Sequence, residues 1–80
     1  MYFLYILYSQ ELDCYYVGQT DNIKDRLASH RGGKSKFTSR ASDWMVVHTE
    51  EFLTRKEALV RERAIKRMKS RKYVESLIEK

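Results

Sequence analysis

The sequence predicts a small α+β domain with a mostly antiparallel sheet, in the order β-β-α-β-α-α. Three observations carry that prediction. The first eight residues, MYFLYILY, are aromatic and apolar at both parities, which marks a strand buried on both faces in the middle of a sheet. A second β-run, Cys14-Tyr15-Tyr16-Val17, follows after one short polar loop, the spacing of an antiparallel hairpin. Thr54-Arg55-Lys56-Glu57 is a capping box, the local signature of a helix start.

Taken in order, Met1 to Tyr8 is the first strand, Ser9 to Asp13 the hairpin loop and Cys14 to Gly18 the partner strand. The loop lacks an Asn-Gly or Asp-Gly turn signature. Gly18 ends the β-run and permits either a positive φ or a close approach by another group. Thr20 or Asp21 is the N-cap candidate for a helix over about Asn22 to His30, with Arg31-Gly32-Gly33 offering its C-cap. Arg26 and His30 stand at i, i+4 and share a face of that helix. Gly32 to Ser42 is a basic loop with one apolar residue, Phe37, and has the composition of a segment that orders on a partner. In Asp43 to Leu53, Trp44, Val46, His48, Glu50 and Phe52 alternate with Met45, Val47, Thr49, Glu51 and Leu53, giving a third strand. A long helix runs from Thr54 to about Lys69. Ser70 caps a last short helix whose Val74, Leu77 and Ile78 form an apolar face.

Composition bounds the function. Eighty residues make one domain, spanning 1–80. A hydrophobic share of 42% with 34% charged residues fits a folded soluble protein and not a disordered one. The single cysteine, Cys14, excludes an internal disulfide and a cysteine-cluster zinc site. Neither a leader nor an apolar run of about 18 residues is present, so the expected location is cytoplasmic, without a membrane span. The net charge of +5 is unevenly spread: residues 1–23 hold three acids and no Lys or Arg, whereas 24–80 hold all sixteen basic residues and carry +8. One cluster comprises Arg31, Lys34, Lys36 and Arg40. A second, over 61–72, has Arg61, Arg63, Lys66, Arg67, Lys69, Arg71 and Lys72 against Glu62 alone. Two such clusters point to a polyanionic partner, nucleic acid first among them.

Glu62 is out of place. Ala58, Leu59, Ile65 and Met68 mark the inward stripe of the long helix, and Glu62 falls on it. A carboxylate there needs a cation or hydrogen-bond donors. Either it pairs with Arg61, Lys66 or Arg26, or it is a metal ligand, since Mg²⁺ is commonly held by one or two carboxylates with phosphate oxygens and water.

Phe3-Leu4-Tyr5 and Tyr16-Val17-Gly18, ten residues apart, resemble the two signature triplets of the GIY-YIG nuclease superfamily. The resemblance continues through Arg26-Leu27-Ala28-Ser29-His30, Phe37-Thr38-Ser39-Arg40, the Trp44 strand ending Glu50-Glu51-Phe52, and Glu57-Ala58-Leu59 through Glu62 to Ile65-Lys66. The chain is most similar to the small stand-alone bacterial group, related to the nuclease domain of the excision-repair incision enzyme. The resemblance implies a three-stranded antiparallel sheet flanked by helices. It also implies metal-dependent endonucleolytic hydrolysis of phosphodiester bonds in DNA, in repair or recombination, with Mg²⁺ or Mn²⁺ as cofactor. By position it implies Tyr5 and Tyr16 as the signature tyrosines, Gly18 as the signature glycine, Arg26 as the helix arginine and Glu62 as the metal-binding glutamate. His30 matches a histidine found in part of the superfamily.

Those roles fit phosphoryl chemistry. In-line attack on phosphorus needs an activated water, a sink for charge on the non-bridging oxygens and help for the leaving oxygen. Glu62 with its metal would supply the last, Arg26 would bind the phosphate, and Tyr5 or Tyr16 would deprotonate the water. His30 could accept a hydrogen bond from a tyrosine or relay its proton. Arg31, Lys34, Lys36, Arg40, Lys66 and Lys69 are the candidate nucleic-acid contacts. His48 and Tyr73 read as structural and Cys14 as a small buried residue. Three positions depart from the pattern: Phe3 replaces a glycine, Gln19 stands where excision-repair relatives often carry lysine, and no asparagine occurs near Tyr73-Val74. The alternative function is a nucleic-acid-binding module with little or no cutting activity. On either reading the chain is expected to be a monomer or weak dimer.

Overall fold

The computed structural model describes residues 1–32 and 38–79. Its order is β1 (Tyr2–Ser9), β2 (Cys14–Thr20), α1 (Ile23–Arg31), a 3-10 turn (Thr38–Arg40), β3 (Met45–Phe52), α2 (Arg55–Met68) and α3 (Arg71–Ile78). The three strands form one antiparallel sheet in the order β2-β1-β3. The central place of β1 follows from its apolar character at both parities, which lets it supply a core on each face. Leu4 and Ile6 join Val17, Ile65, Val74 and Leu77 under α2 and α3. Tyr5 and Leu7 join Trp44 and Ala41 on the opposite face, with Ile23 and Leu27 of α1 packed against them. Among the described residues no helix is long and apolar enough to cross a membrane.

The hairpin is held without a turn signature. Asp13 takes a left-handed φ of 50°, which a short polar side chain tolerates. The Asp43 carboxylate accepts from Ser9 Oγ at 2.6 Å and from the Glu11 N–H at 2.9 Å, so a residue far along the chain closes the loop.

Several expectations are corrected. The N-cap of α1 is Asn22, whose side chain accepts from the Asp25 N–H, while the Thr20 hydroxyl is engaged with the Asn22 backbone. The strict alternation expected in β3 is broken by a register shift between Ile6 and Leu7, which leaves Val47 as an extra residue. Val46 therefore packs with the Tyr5 and Trp44 cluster, and Val47 and Phe52 with the other. Met68 is 54% exposed and stands outside the inward stripe, at the last residue of α2. Residues 33–37 of the basic loop lie outside the described residues, and beyond them Thr38 and Ala41 are buried. Cys14 is half-buried. The capping box at Thr54 and the Ser70 cap form as read.

The basic run over 61–72 is partly structural. Arg61 forms a two-point contact with Glu50 (2.8 and 3.2 Å) and reaches the Tyr73 hydroxyl, while His48 stands 2.8 Å from Glu50. This joins β3, α2 and α3, and gives His48 and Tyr73 the structural role expected of them. Arg71 donates to the Asp13 carboxylate (2.6 Å) and carbonyl (2.7 Å), contacts Glu75 and lies over the Tyr15 ring. The cause is local opposite charge, which a count along the chain does not register.

Candidate active site

The site forms on the face of the sheet that carries Tyr5. Gly18 lies opposite Tyr5 in the β1–β2 ladder, and a Cβ at Gly18 would fall 2.5 Å from the Tyr5 hydroxyl oxygen. The glycine is thus required by the close approach of the Tyr5 ring. Tyr5 is 3% exposed, and its hydroxyl stands 2.9 Å from His30 Nε2. His30 is buried at the last turn of α1, and its Nδ1 lies 3.0 Å from the Thr38 hydroxyl. Trp44 holds that turn by donating from Nε1 to the Thr38 carbonyl at 2.9 Å.

Tyr16, two residues along β2 from Gly18 and on the same face, completes an aromatic cluster. Its ring is 4.7 Å from His30 and 6.4 Å from Tyr5. It is half-buried, so unlike Tyr5 it reaches solvent. Lys66 Nζ stands 5.7 Å from the Tyr16 ring centroid and 2.6 Å from Glu62 Oε2. Glu62 therefore meets the cluster at the β2 edge, its side chain 16% exposed, and Lys66 is the partner among the three foreseen.

Charge and burial give the two buried groups opposite tendencies. Burial pushes the Tyr5 hydroxyl well above the usual tyrosine range; Tyr16 adds to the rise, Arg26 opposes it and Glu62 adds to it. Burial, helped by the nearby Arg26 cation, lowers His30 below its ordinary 6.5. His30 is therefore neutral at pH 7 and Tyr5 protonated. One ring nitrogen of the neutral His30 carries the proton and donates, and the other accepts, so both the Tyr5 and the Thr38 contacts are satisfied in either tautomer. Arg26 is exposed on α1, beside an open cleft of about 270 Å³ lined by Thr20, Asn22, Asp25 and Ser29.

The structure thus brings Tyr5, Tyr16, Gly18 and His30 into one cluster, with Arg26 and Glu62 close enough to act on Tyr5 electrostatically. The expected nucleic-acid contacts are more dispersed. Arg31 donates from Nε to the Trp44 carbonyl at 2.8 Å and braces the turn that positions Thr38. Arg40 is exposed in that turn, and Lys69 is exposed after α2. Lys34 and Lys36, with Phe37, lie outside the described residues. Sequence reasoning missed Thr38 as the second partner of His30. A threonine in a loop rich in Gly, Ser and Thr has no periodicity that could have marked it.

Among the described residues no group of three His, Cys, Asp or Glu is placed to hold a metal ion. One carboxylate nevertheless fits Mg²⁺, which keeps several waters and is commonly completed by substrate phosphate. Glu62 is the residue that would hold it, in place of its contact with Lys66.

The class of the domain follows from comparison with known proteins. The GIY-YIG catalytic domain family matches residues 1–74, and the chain belongs to that family of nucleases. Within it, the chain is similar to small bacterial UPF0213 proteins. It is 34% identical to one from Listeria welshimeri over 80 residues, covering 99% of this chain and 88% of the relative. It is 36% identical to one from Listeria innocua over 78 residues, covering 96% and 84%. The solution NMR structure of a UPF0213 protein from Bacillus halodurans, 30% identical, superposes with a TM-score of 0.61 over 99% of this chain and 84% of that one.

Proposed function

We propose that the protein is a metal-dependent endonuclease that hydrolyses phosphodiester bonds in DNA, in the setting of repair or recombination. The observation that carries this reading is the division of labour between the two tyrosines. Tyr5 is buried, protonated and tied to a neutral histidine, whereas Tyr16 lies against both and is open to solvent.

In this mechanism the exposed Arg26 guanidinium binds non-bridging phosphate oxygens and stabilises the charge that grows on them. Tyr16 Oη orients the attacking water and, in its phenolate form with the Arg26 cation nearby, takes the water's proton as the bond to phosphorus forms, leaving a neutral phenol. Tyr5 keeps its proton and, with His30 and Thr38, fixes the ring arrangement against which Tyr16 rests. Glu62 would hold the divalent cation, which when bound supplies Lewis-acid polarisation and stabilises the leaving oxygen. Lys66 neutralises Glu62 in the metal-free protein and is released as a phosphate contact when that pair opens.

The same Lys66–Glu62 pair favours a second reading, a nucleic-acid-binding module in which Glu62 is only a salt-bridge residue. Cleavage assays with Mg²⁺, Mn²⁺ or chelator on labelled duplex, single-stranded and branched DNA and on RNA separate the two. The nuclease reading expects cutting of DNA that requires the metal. Salt-sensitive binding without cutting under every condition leaves the binding module.

A further inference from the structure

A cavity of about 270 Å³ opens between β2 and the junction of α2 and α3. Buried Val17, Ile65 and Val74 give it an apolar floor, and exposed Lys66 and Lys69 line it with positive charge. Lys66 also stands over Tyr16 and against Glu62, so at the edge of β2 this one side chain links the cavity, on the α2–α3 face of the sheet, to the active site on the other face. A second observation concerns Lys69. It closes α2 with φ 48° and ψ 38°, a left-handed cap that normally selects glycine. This left-handed position sets the Lys69 ammonium at the mouth of the cavity. Its volume lies near the lower bound of ligand sites, roughly 300 Å³. It suits one flat, apolar ring system whose attached phosphates face the lysines.

Resting on the nuclease reading, we propose that this cavity receives a single unpaired nucleobase of the substrate, swung out beside the scissile phosphate, with the adjoining phosphates on Lys66 and Lys69. The chemistry selects against plain duplex. A paired base must be unstacked before it can enter, whereas an unpaired one enters without that cost. The substrate class is therefore DNA carrying an extra, mismatched or single-stranded nucleotide.

The test uses the full chain in chelator, so that nothing is cut. Two labelled DNAs of equal length are compared, one fully paired and one with a single unpaired 2-aminopurine. The unpaired nucleotide should bind about tenfold more tightly, the discrimination one buried base provides, and its emission should rise as it leaves the stack. Lys69→Gly, which suits the left-handed backbone and should fold at least as well, should remove most of that preference, and Lys69→Arg should keep it. Equal affinity for the two DNAs, or an equal loss for both in Lys69→Gly, overturns the cavity while leaving the nuclease reading intact. Failure to bind either DNA overturns both.

Discussion

Gly18 faces Tyr5 across the β1–β2 ladder so closely that a single methyl group at Gly18 would lie 2.5 Å from the Tyr5 hydroxyl oxygen and 2.7 Å from the carbon bearing it. The contact is with a ring buried on a packed sheet face, so it cannot be relieved by rotating a flexible tip. Gly18→Ala should cost about 1–3 kcal/mol, the range for overpacking. In a Tyr5→Ala background the same substitution should cost far less, and urea unfolding followed through Trp44, the one tryptophan, gives the cycle. Equal costs in both backgrounds would mean that the ring does not set the glycine.

The two tyrosines should separate stability from chemistry. Tyr5→Phe leaves the buried His30 Nε2 without its hydroxyl partner and should destabilise by about 1–3 kcal/mol. Tyr16→Phe should fold almost normally but lose about 100-fold or more in cleavage rate, the scale of a lost acid–base group. Parallel unfolding curves and single-turnover rates on the two variants check both halves.

His30 should impose an acid limb. Its folded value lies below the ordinary 6.5, so between the two values the unfolded chain binds the extra proton and stability rises with pH. The contribution is complete above 6.5 and is lost as pH falls from there toward the folded value. Stability measured from pH 7.5 to 5 should decline in the wild type and flatten over that window in His30→Gln.

Two arginines should behave oppositely. Arg61 is largely shielded in its two-point contact with Glu50, so Arg61→Ala should destabilise by about 1.5–3 kcal/mol. Opposite Arg61, Glu50 is held below its ordinary 4.5, so this pair's contribution is present above that value and fades as pH falls through the folded one. Arg26, exposed on α1, should be replaceable by Ala with little change in stability but a large loss in cleavage. Thermal melts beside cleavage rates decide it.

What the sequence disclosed follows from how local each signal is. The capping box at Thr54 and the Ser70 cap are made within four residues, and the central strand declares itself by an aromatic and aliphatic run from Tyr2 to Tyr8. The bulge at Val47 depends on how β3 meets β1, and no pattern inside the strand announces it. At the candidate site, the resemblance singles out Tyr5, Tyr16, Arg26, His30 and Glu62, of which the structure gathers Tyr5, Tyr16 and His30 into one cluster, and Glu62 stands out in the apolar stripe without it. The pairing of Tyr5 with His30 spans 25 residues and that of Arg71 with Asp13 spans 58, so neither could be read along the chain. For the same reason the basic run looked more available to a polyanion than Arg61 and Arg71 are.

The most direct measurement compares Mg²⁺-dependent cleavage of labelled DNA by the wild type, Glu62→Gln and Tyr16→Phe, each first shown to be folded by its unfolding curve. Glu62→Gln keeps the size of the side chain while removing the charge that would hold the cation. The account predicts metal-dependent cutting by the wild type and its loss in both variants, with DNA binding in chelator retained. Undiminished cutting by Glu62→Gln, or no cutting by the wild type with any divalent cation, would contradict it.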